Sequence, residues 1–374
     1  MKRVALFTTS SLRSTPAGTY TPALVDLVER LSKDFTVTVF TVTPPSGETN
    51  QYACGDAEVR VVRVRHDASL FLRSAAFTRA FMDVHRVKPF DIVHGFWATP
   101  CGLAAVCSGM LSGIPSIVTL QGGEAASLPS IRYGNMSRAS TRALTLWVCR
   151  RASALTALTQ FQANAIAAHG LKRTMTIIPY GASDKFYCAP PYRTPGVPLE
   201  LLHVADLNAV KDQATLLRAF RLILEKKDAR LTIAGRDLTN GRIERLAAEL
   251  GIETRIRFLG HVHHDRLPSL YFSSDILLHT SLYEAQGVVV AEACAAGCVV
   301  CGTRTGLIAD LEGSCTVAAP PGNPQALADA VLALVQDPDR YRLYRSAARS
   351  WAEKHTAAWT AGEFSSLYSK IPNF

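Results

Sequence analysis

Short runs of β-branched and aliphatic residues alternate with segments whose apolar positions recur every three to four residues over most of the 374-residue chain. This alternation marks parallel strands joined by crossover helices, because a strand that re-enters a sheet in the same direction needs a helix-length connection. Early in the chain, residues 3–8, 36–41, 59–64, 91–94, 116–120, 154–158 and 175–178 read as strands, and 22–32 as a helix with proline near its first turn. A second series places strands at 201–205, 229–234, 256–259, 276–279, 298–301 and 315–317, separated by helices at 213–225, 242–250, 267–272 and 288–296. Residues 181–198, between the series, hold four prolines that fit neither a ladder nor a helix interior.

The expected fold is therefore α/β, with two doubly wound parallel-sheet (Rossmann-like) domains facing across a cleft. They occupy residues 1–180 and 199–354, with a linker at 181–198. Open parallel sheets bind ligands beyond the carboxyl ends of their strands, so the loops at those ends are the place to look for chemistry.

Composition narrows the class. With 48% hydrophobic and 19% charged residues, 24 Gly and 19 Pro, the chain reads as globular and not as disordered, collagenous or coiled-coil. Its nine cysteines are an odd number, mostly in apolar surroundings, which points to reduced thiols and a cytoplasmic protein. Residues 95–123 carry no charge, but Pro100, Pro115 and several Gly and Ser break the run, so a helix, a turn and a buried strand are expected there.

The net charge of +9 is uneven: the first 198 residues hold 21 Lys and Arg against 11 Asp and Glu, and the remainder 19 against 20. One reading is an anionic contact for the first half, of which peripheral attachment to the inner face of an anionic membrane is one form, and the other is a scatter of solvated arginines. Arg60, Arg63, Arg65, Arg73 and Arg79 would supply the charge, with Leu70, Phe71, Leu72, Phe77 and Phe81 as an apolar face beside them. The alternative is that these aromatics pack in the core.

Neither the dinucleotide fingerprint nor the P-loop pattern occurs, so neither phosphate cradle is present. Cys294, Cys298 and Cys301 have the spacing of an iron–sulfur loop, yet a helix cap at Gly297 followed by a strand would point the thiols apart. His261, His263 and His264 crowd one loop and could hold zinc, but are read as a solvated or nucleotide-facing loop. The informative stretch is Glu284-Ala-Gln-Gly287-Val288-Val-Val-Ala-Glu292. A carboxylate ends a loop after a strand, glycine allows close backbone approach, and a helix begins with open N–H groups, which together form a phosphate seat flanked by two acids. Eight residues of helix rise about 12 Å, more than the roughly 5–9.5 Å that separates a glycosidase pair.

This stretch, followed by Gly297 and an apolar strand, resembles the retaining glycosyltransferases of family 4, which have the GT-B fold. Residues Asp91-Ile-Val-His94, Gly113-Ile-Pro, Ile178-Pro-Tyr-Gly181, Lys211-Asp212, Arg257-Phe-Leu-Gly260 and Gly302-Thr-x-x-Gly306 extend the likeness over nearly the whole chain. The resemblance implies transfer of a sugar from a UDP- or GDP-type donor to a hydroxyl of a glycan or lipid-linked acceptor, in polysaccharide or cell-envelope synthesis. It implies no nucleic acid partner, no cofactor and no metal. The acceptor belongs to the first domain, onto which a helix near 355–374 packs back, and the nucleotide sugar to the second.

Residue by residue, the resemblance gives Glu284 and Gln121 catalytic positions at the sugar. Gly287, Val288 and Lys211 serve the diphosphate, Glu292 the ribose, His261 and Val262 the base, and Gly18 the glycine-rich loop. Four departures stand out. Asp206 replaces an expected Arg, with Arg236 and Arg304 placed to restore the charge. Gln121 replaces a His, Gly18 stands where two glycines are usual, and Arg304-Thr-Gly306-Leu307 lacks a glycine pair. The alternative is a glycosyltransferase-like binding or scaffold protein with impaired turnover; a third reading is a sugar-nucleotide epimerase or hydrolase on the same scaffold.

Overall fold

The computed structural model describes residues 1–13, 20–42, 51–65, 67–187 and 195–371. The chain divides into two compact units, one formed by Met1–Tyr180 with Ala357–Phe374 and the other by Gly181–Thr356.

The first unit is built on β1 (Arg3–Thr8), β2 (Thr36–Thr41), β3 (Gln51–Cys54), β4 (Ala57–Val61), β5 (Ile92–Phe96), β6 (Ser116–Thr119), β7 (Ala154–Ala157) and β8 (Thr176–Ile177). Their order in the sheet is β3-β4-β2-β1-β5-β6-β7-β8. All the pairings are parallel except β3 with β4, a hairpin that turns at Gly55 with φ 56°. The strand reading passed over β3, four residues that alternate exposed and buried and lack a β-branched run. Central β1 is covered on both faces, as a strand in a parallel sheet flanked by helices must be, and Val4, Ala5, Leu6 and Phe7 are fully buried.

Phe7 packs against Phe40, Phe77 and Phe81. This corrects the apolar face proposed for a membrane: Phe77 and Phe81, one helical turn apart on Leu70–His85, point into the core. Only the start of that helix presents large apolar side chains, with Phe71 65% and Leu72 63% exposed. The terminal helix Ala357–Lys370 belongs to this unit. Its Tyr368 hydroxyl meets His94 Nδ1 at 2.7 Å, and Lys2 Nζ donates to the carbonyls of Tyr368 and Ile371.

The second unit holds β9 (Leu199–Val204), β10 (Ala229–Ala234), β11 (Ile256–Phe258), β12 (Ile276–His279), β13 (Val299–Thr303) and β14 (Thr316–Ala319). The order is β11-β10-β9-β12-β13-β14, parallel throughout. The stretch read as a linker is partly core: residues 181–187 fold with this unit, where Phe186 is fully buried, and 188–194 lie outside the described residues. Cys301 joins one apolar cluster while Cys294 and Cys298 join another, the divergence that strand geometry demands. Among the described residues no three His, Cys, Asp or Glu are arranged to hold a metal. Among them, too, no helix is long and apolar enough to cross a membrane.

Candidate active site

At the carboxyl end of β12 the chain makes a buried polar knot around Glu284. Oε1 of this carboxylate accepts from Lys211 Nζ, from His279 Nε2 at 2.9 Å and from Ser281 Oγ at 2.6 Å. No described residue donates to Oε2, so three donors converge on one oxygen and leave the other open. Burial alone would raise the Glu284 carboxyl, but the Lys211 ammonium and the His279 ring overcome it and hold the group well below the carboxylate range. Glu284 is therefore an anion in a largely dry setting, the state in which a fixed charge acts most strongly.

Local chain geometry puts the partners in place. Asn208 Oδ1 accepts from the backbone of Val210 and Lys211, shaping the turn that brings Lys211 to the site, and Thr280 Oγ1 fixes the Lys211 carbonyl at 2.9 Å. Gly287 caps the helix Val288–Ala296 at φ 78° and has no side chain to satisfy the first N–H groups, which stay open to an anion. Gly306 closes on the same loop: a Cβ there would stand 2.5 Å from the Gln286 carbonyl oxygen, so only glycine allows this approach.

Glu292 lies one to two turns further along that helix and is 5% exposed. Tyr271 donates to Oε2 at 3.0 Å and His264 Nε2 to Oε1 at 2.7 Å. His264 Nδ1 in turn accepts from Lys185 Nζ at 2.8 Å, which also reaches Asp265 at 2.7 Å. Because an ammonium only donates, Nδ1 must be bare and the proton sits on Nε2, facing the carboxylate. The sequence places Asp265 beside the histidines of this loop, but that carboxylate turns to Lys185. The fold supplies Glu292 from 28 residues away.

The remaining candidates scatter. Arg236 and Asp206 pair with each other, at 2.6 and 3.1 Å, and the Arg236 N–H adds a bond of 2.9 Å. Burial works to raise Asp206, and the guanidinium reverses it, keeping the acid low. Arg304 holds Glu312 through two contacts of 2.6 Å. Both arginines read as replacement cations are thus committed to carboxylates, and Lys211 is the candidate cation on the Glu284 knot. His261 is exposed and Val262 half-buried against the apolar cluster, while Gly18 lies outside the described residues. Sequence reasoning weighed His264 only as part of its histidine loop and missed Tyr271, His279 and Ser281. Only His279 and Ser281 left a trace, as polar residues within five positions of Glu284.

In the first unit, Gln121 follows β6 and its side-chain amide donates to the Tyr180 hydroxyl. The loop beneath it is pinned by Glu124, 3% exposed, whose carboxylate takes the N–H groups of Ala98 at 3.2 Å, Gln121 at 3.1 Å and Gly122 at 2.6 Å. Beside it, at the end of the adjacent β5, Trp97 adopts φ 68° and ψ 141°, a conformation that costs a bulky residue about 1–3 kcal/mol.

Residues 18–181 match the family model of the glycosyl transferase 4-like domain, and residues 191–351 that of glycosyl transferases group 1. The 2-deoxystreptamine glucosyltransferase of Streptomyces kanamyceticus is 26% identical over 327 residues, 80% of this chain and 82% of that protein. The D-inositol 3-phosphate glycosyltransferase of Corynebacterium urealyticum is 32% identical over 197 residues, 48% of this chain and 46% of that protein. That protein and the glycosyltransferase MJ1607 of Methanocaldococcus jannaschii, 40% identical over 97 residues and 25% of its length, are matched over less than half their own length. Among solved structures, Anabaena HepE in complex with UDP and glucose superposes with a TM-score of 0.78 at 18% identity, over 99% of this chain and 100% of that one.

Proposed function

From the premise that the chain belongs to the family 4 glycosyltransferases of GT-B fold, we propose that it moves a sugar from a nucleoside diphosphate donor to a hydroxyl of a glycan or lipid-linked acceptor, with retained anomeric configuration. The observation that carries this reading is the Glu284 knot, an ionised carboxylate with one oxygen saturated and one open, at the foot of an uncapped helix. Oε2 takes a hydroxyl of the donor sugar. The open N–H groups of Gly287 and Val288 and the two spare ammonium protons of Lys211 take the diphosphate, whose charge grows as it leaves. These groups do the work a divalent cation would do, so the reading needs no metal or cofactor. Glu292, held by Tyr271 and His264, still has lone pairs for the ribose hydroxyls.

The scaffold reading rested on an acid in the place of a phosphate cation. The Arg236 pair neutralises Asp206 and supports the catalytic reading instead. A UDP- or GDP-sugar is expected to raise the melting temperature, since a ligand that binds the folded state stabilises it by mass action. No shift with any of these donors would sink the assignment.

The acceptor side of the reading keeps a membrane component, carried now by Phe71 and Leu72 with the exposed Arg63 nearby in sequence, Arg65 being bound to Asp67. Co-sedimentation with phosphatidylserine vesicles at low salt, and its loss with neutral vesicles, is the expected outcome. Equal recovery with both would remove that component.

A further inference from the structure

Lys185 has no part in the transfer scheme, yet its ammonium ends on a ring nitrogen. The segment that carries it is anchored on both sides. Phe186, the next residue, is fully buried with its ring 5.3 Å from that of His264, and Arg349 donates to the Tyr187 carbonyl at 3.0 Å. Lys185 Nζ donates to His264 Nδ1 at 2.8 Å, His264 Nε2 donates to Glu292 Oε1 at 2.7 Å, and the buried Tyr271 donates to Oε2 at 3.0 Å. An ammonium in contact with Nδ1 occupies the place that a second ring proton would take, so the imidazole carries one proton, on Nε2. Among the described residues no Lys or Arg touches Glu292. Its carboxylate is thus oriented by two uncharged donors and left unneutralised, the condition in which an anion accepts most strongly from a hydroxyl.

We propose that Lys185 is a positioning residue for the donor's ribose: it holds His264 as the neutral Nε2–H tautomer, which fixes Glu292 and makes the site select nucleotides that carry both ribose hydroxyls. Lys185 itself touches neither nucleotide nor sugar and acts through the ring. A carboxylate offers about four lone-pair positions. Tyr271 and His264 take one on each oxygen, and one on each remains, enough for a vicinal pair of hydroxyls. Without Lys185 the Nδ1 lone pair is free to take a second proton, and the resulting imidazolium would neutralise the charge that draws those hydroxyls. The Lys185–Asp265 pair, 31% and 69% exposed, contributes little by itself because water screens it. The inference rests on the reading of Glu292 as the ribose acceptor, but its first step, the state of the His264 ring, is measured without any nucleotide.

The full chain labelled with 15N at histidine gives a pair of ring-nitrogen signals for each of its ten histidines, and the pair missing from His264→Gln belongs to His264. That pair should show one bare and one protonated nitrogen. Lys185→Met should abolish the pattern, through a second proton or exchange between tautomers, whereas Lys185→Arg, which still donates, should retain it. In equilibrium binding the wild type should hold UDP or GDP about tenfold more tightly than the 2′,3′-dideoxy form, as hydrogen bonds to a charged group allow. Lys185→Met should bring that ratio close to one, raise the donor KM and leave kcat within about twofold, the mark of lost ground-state binding. Lys185→Arg should recover the ratio, and Asp265→Asn, which removes only the exposed ion pair, should match the wild type in both readouts. An unchanged His264 pattern or an unchanged ratio in Lys185→Met overturns the proposal, as does an equal loss in Asp265→Asn. If the wild type bound neither nucleotide, the ribose role would fall together with the transfer reading. Equal binding of the ribose and dideoxy forms by the wild type would leave transfer standing and overturn the ribose role alone.

Discussion

Each unit buries a histidine on a central strand, and the two are finished in opposite ways. His94 on β5 has both ring nitrogens 2.7 Å from hydroxyls, Tyr368 on the terminal helix and Thr119 on the next strand. His279 on β12 has one nitrogen on the Glu284 carboxylate at 2.9 Å, while the other is buried with no partner. Leaving a buried polar atom unpaired costs about 1–3 kcal/mol. The first histidine is a fastening that ties the last helix to the sheet. The second gives up stability to complete a charged site, the trade expected where function and stability conflict.

The comparison makes predictions that differ in kind. The largest effect should come from Glu284→Gln, which keeps the shape of the knot but removes its charge. Turnover of donor should fall by about 10²–10³-fold, the usual loss for one preorganised electrostatic group, and the melting temperature should fall too, because the partly buried Lys211 loses its counter-charge. Nucleotide release assays on the purified variant would show it, and wild-type turnover would dissolve the site assignment.

Acid should act through the buried histidines of both units. Burial holds His94 and His203 at about 3, against 6.5 for the free side chain. The unfolded chain therefore binds more protons between pH 6.5 and 3. Stability is fully present above 6.5 and drains as pH falls through that window, by up to about 1.4 kcal/mol per pH unit for each histidine. Urea unfolding measured from pH 7 to 5 should show this slope, reduced in His94→Leu.

Tyr368→Phe takes away the hydroxyl that satisfies His94 Nδ1, and a loss of about 1–3 kcal/mol is expected with donor kinetics unaffected. Lowered turnover in this variant would show that the terminal helix does more than fasten.

The smallest and most discriminating change is His279→Leu. It deletes an unpaired nitrogen, so stability should hold or rise while turnover drops about tenfold, equivalent to about 1.4 kcal/mol of transition-state stabilisation. His279→Gln, which can present an amide N–H where Nε2 stood, should recover much of the rate. A fall in stability with unchanged turnover would make His279 a second His94.

The chain's periodicity determined the parallel strands and crossover helices, because burying both faces of a sheet demands unbroken apolar runs. The order of residues 284–297 determined that an acid, a glycine and a helix start would be neighbours. Tertiary structure decided which charges survive as free ones. Arg236 and Arg304 look like spare cations until the fold brings Asp206 and Glu312 to them, and Lys211 reaches Glu284 across 73 positions. The same holds for Glu292, whose partners His264 and Tyr271 lie 28 and 21 residues away. Local pattern encodes backbone geometry because it acts over a few residues. Pairing, desolvation and strain depend on what else the packed chain places within a few ångströms.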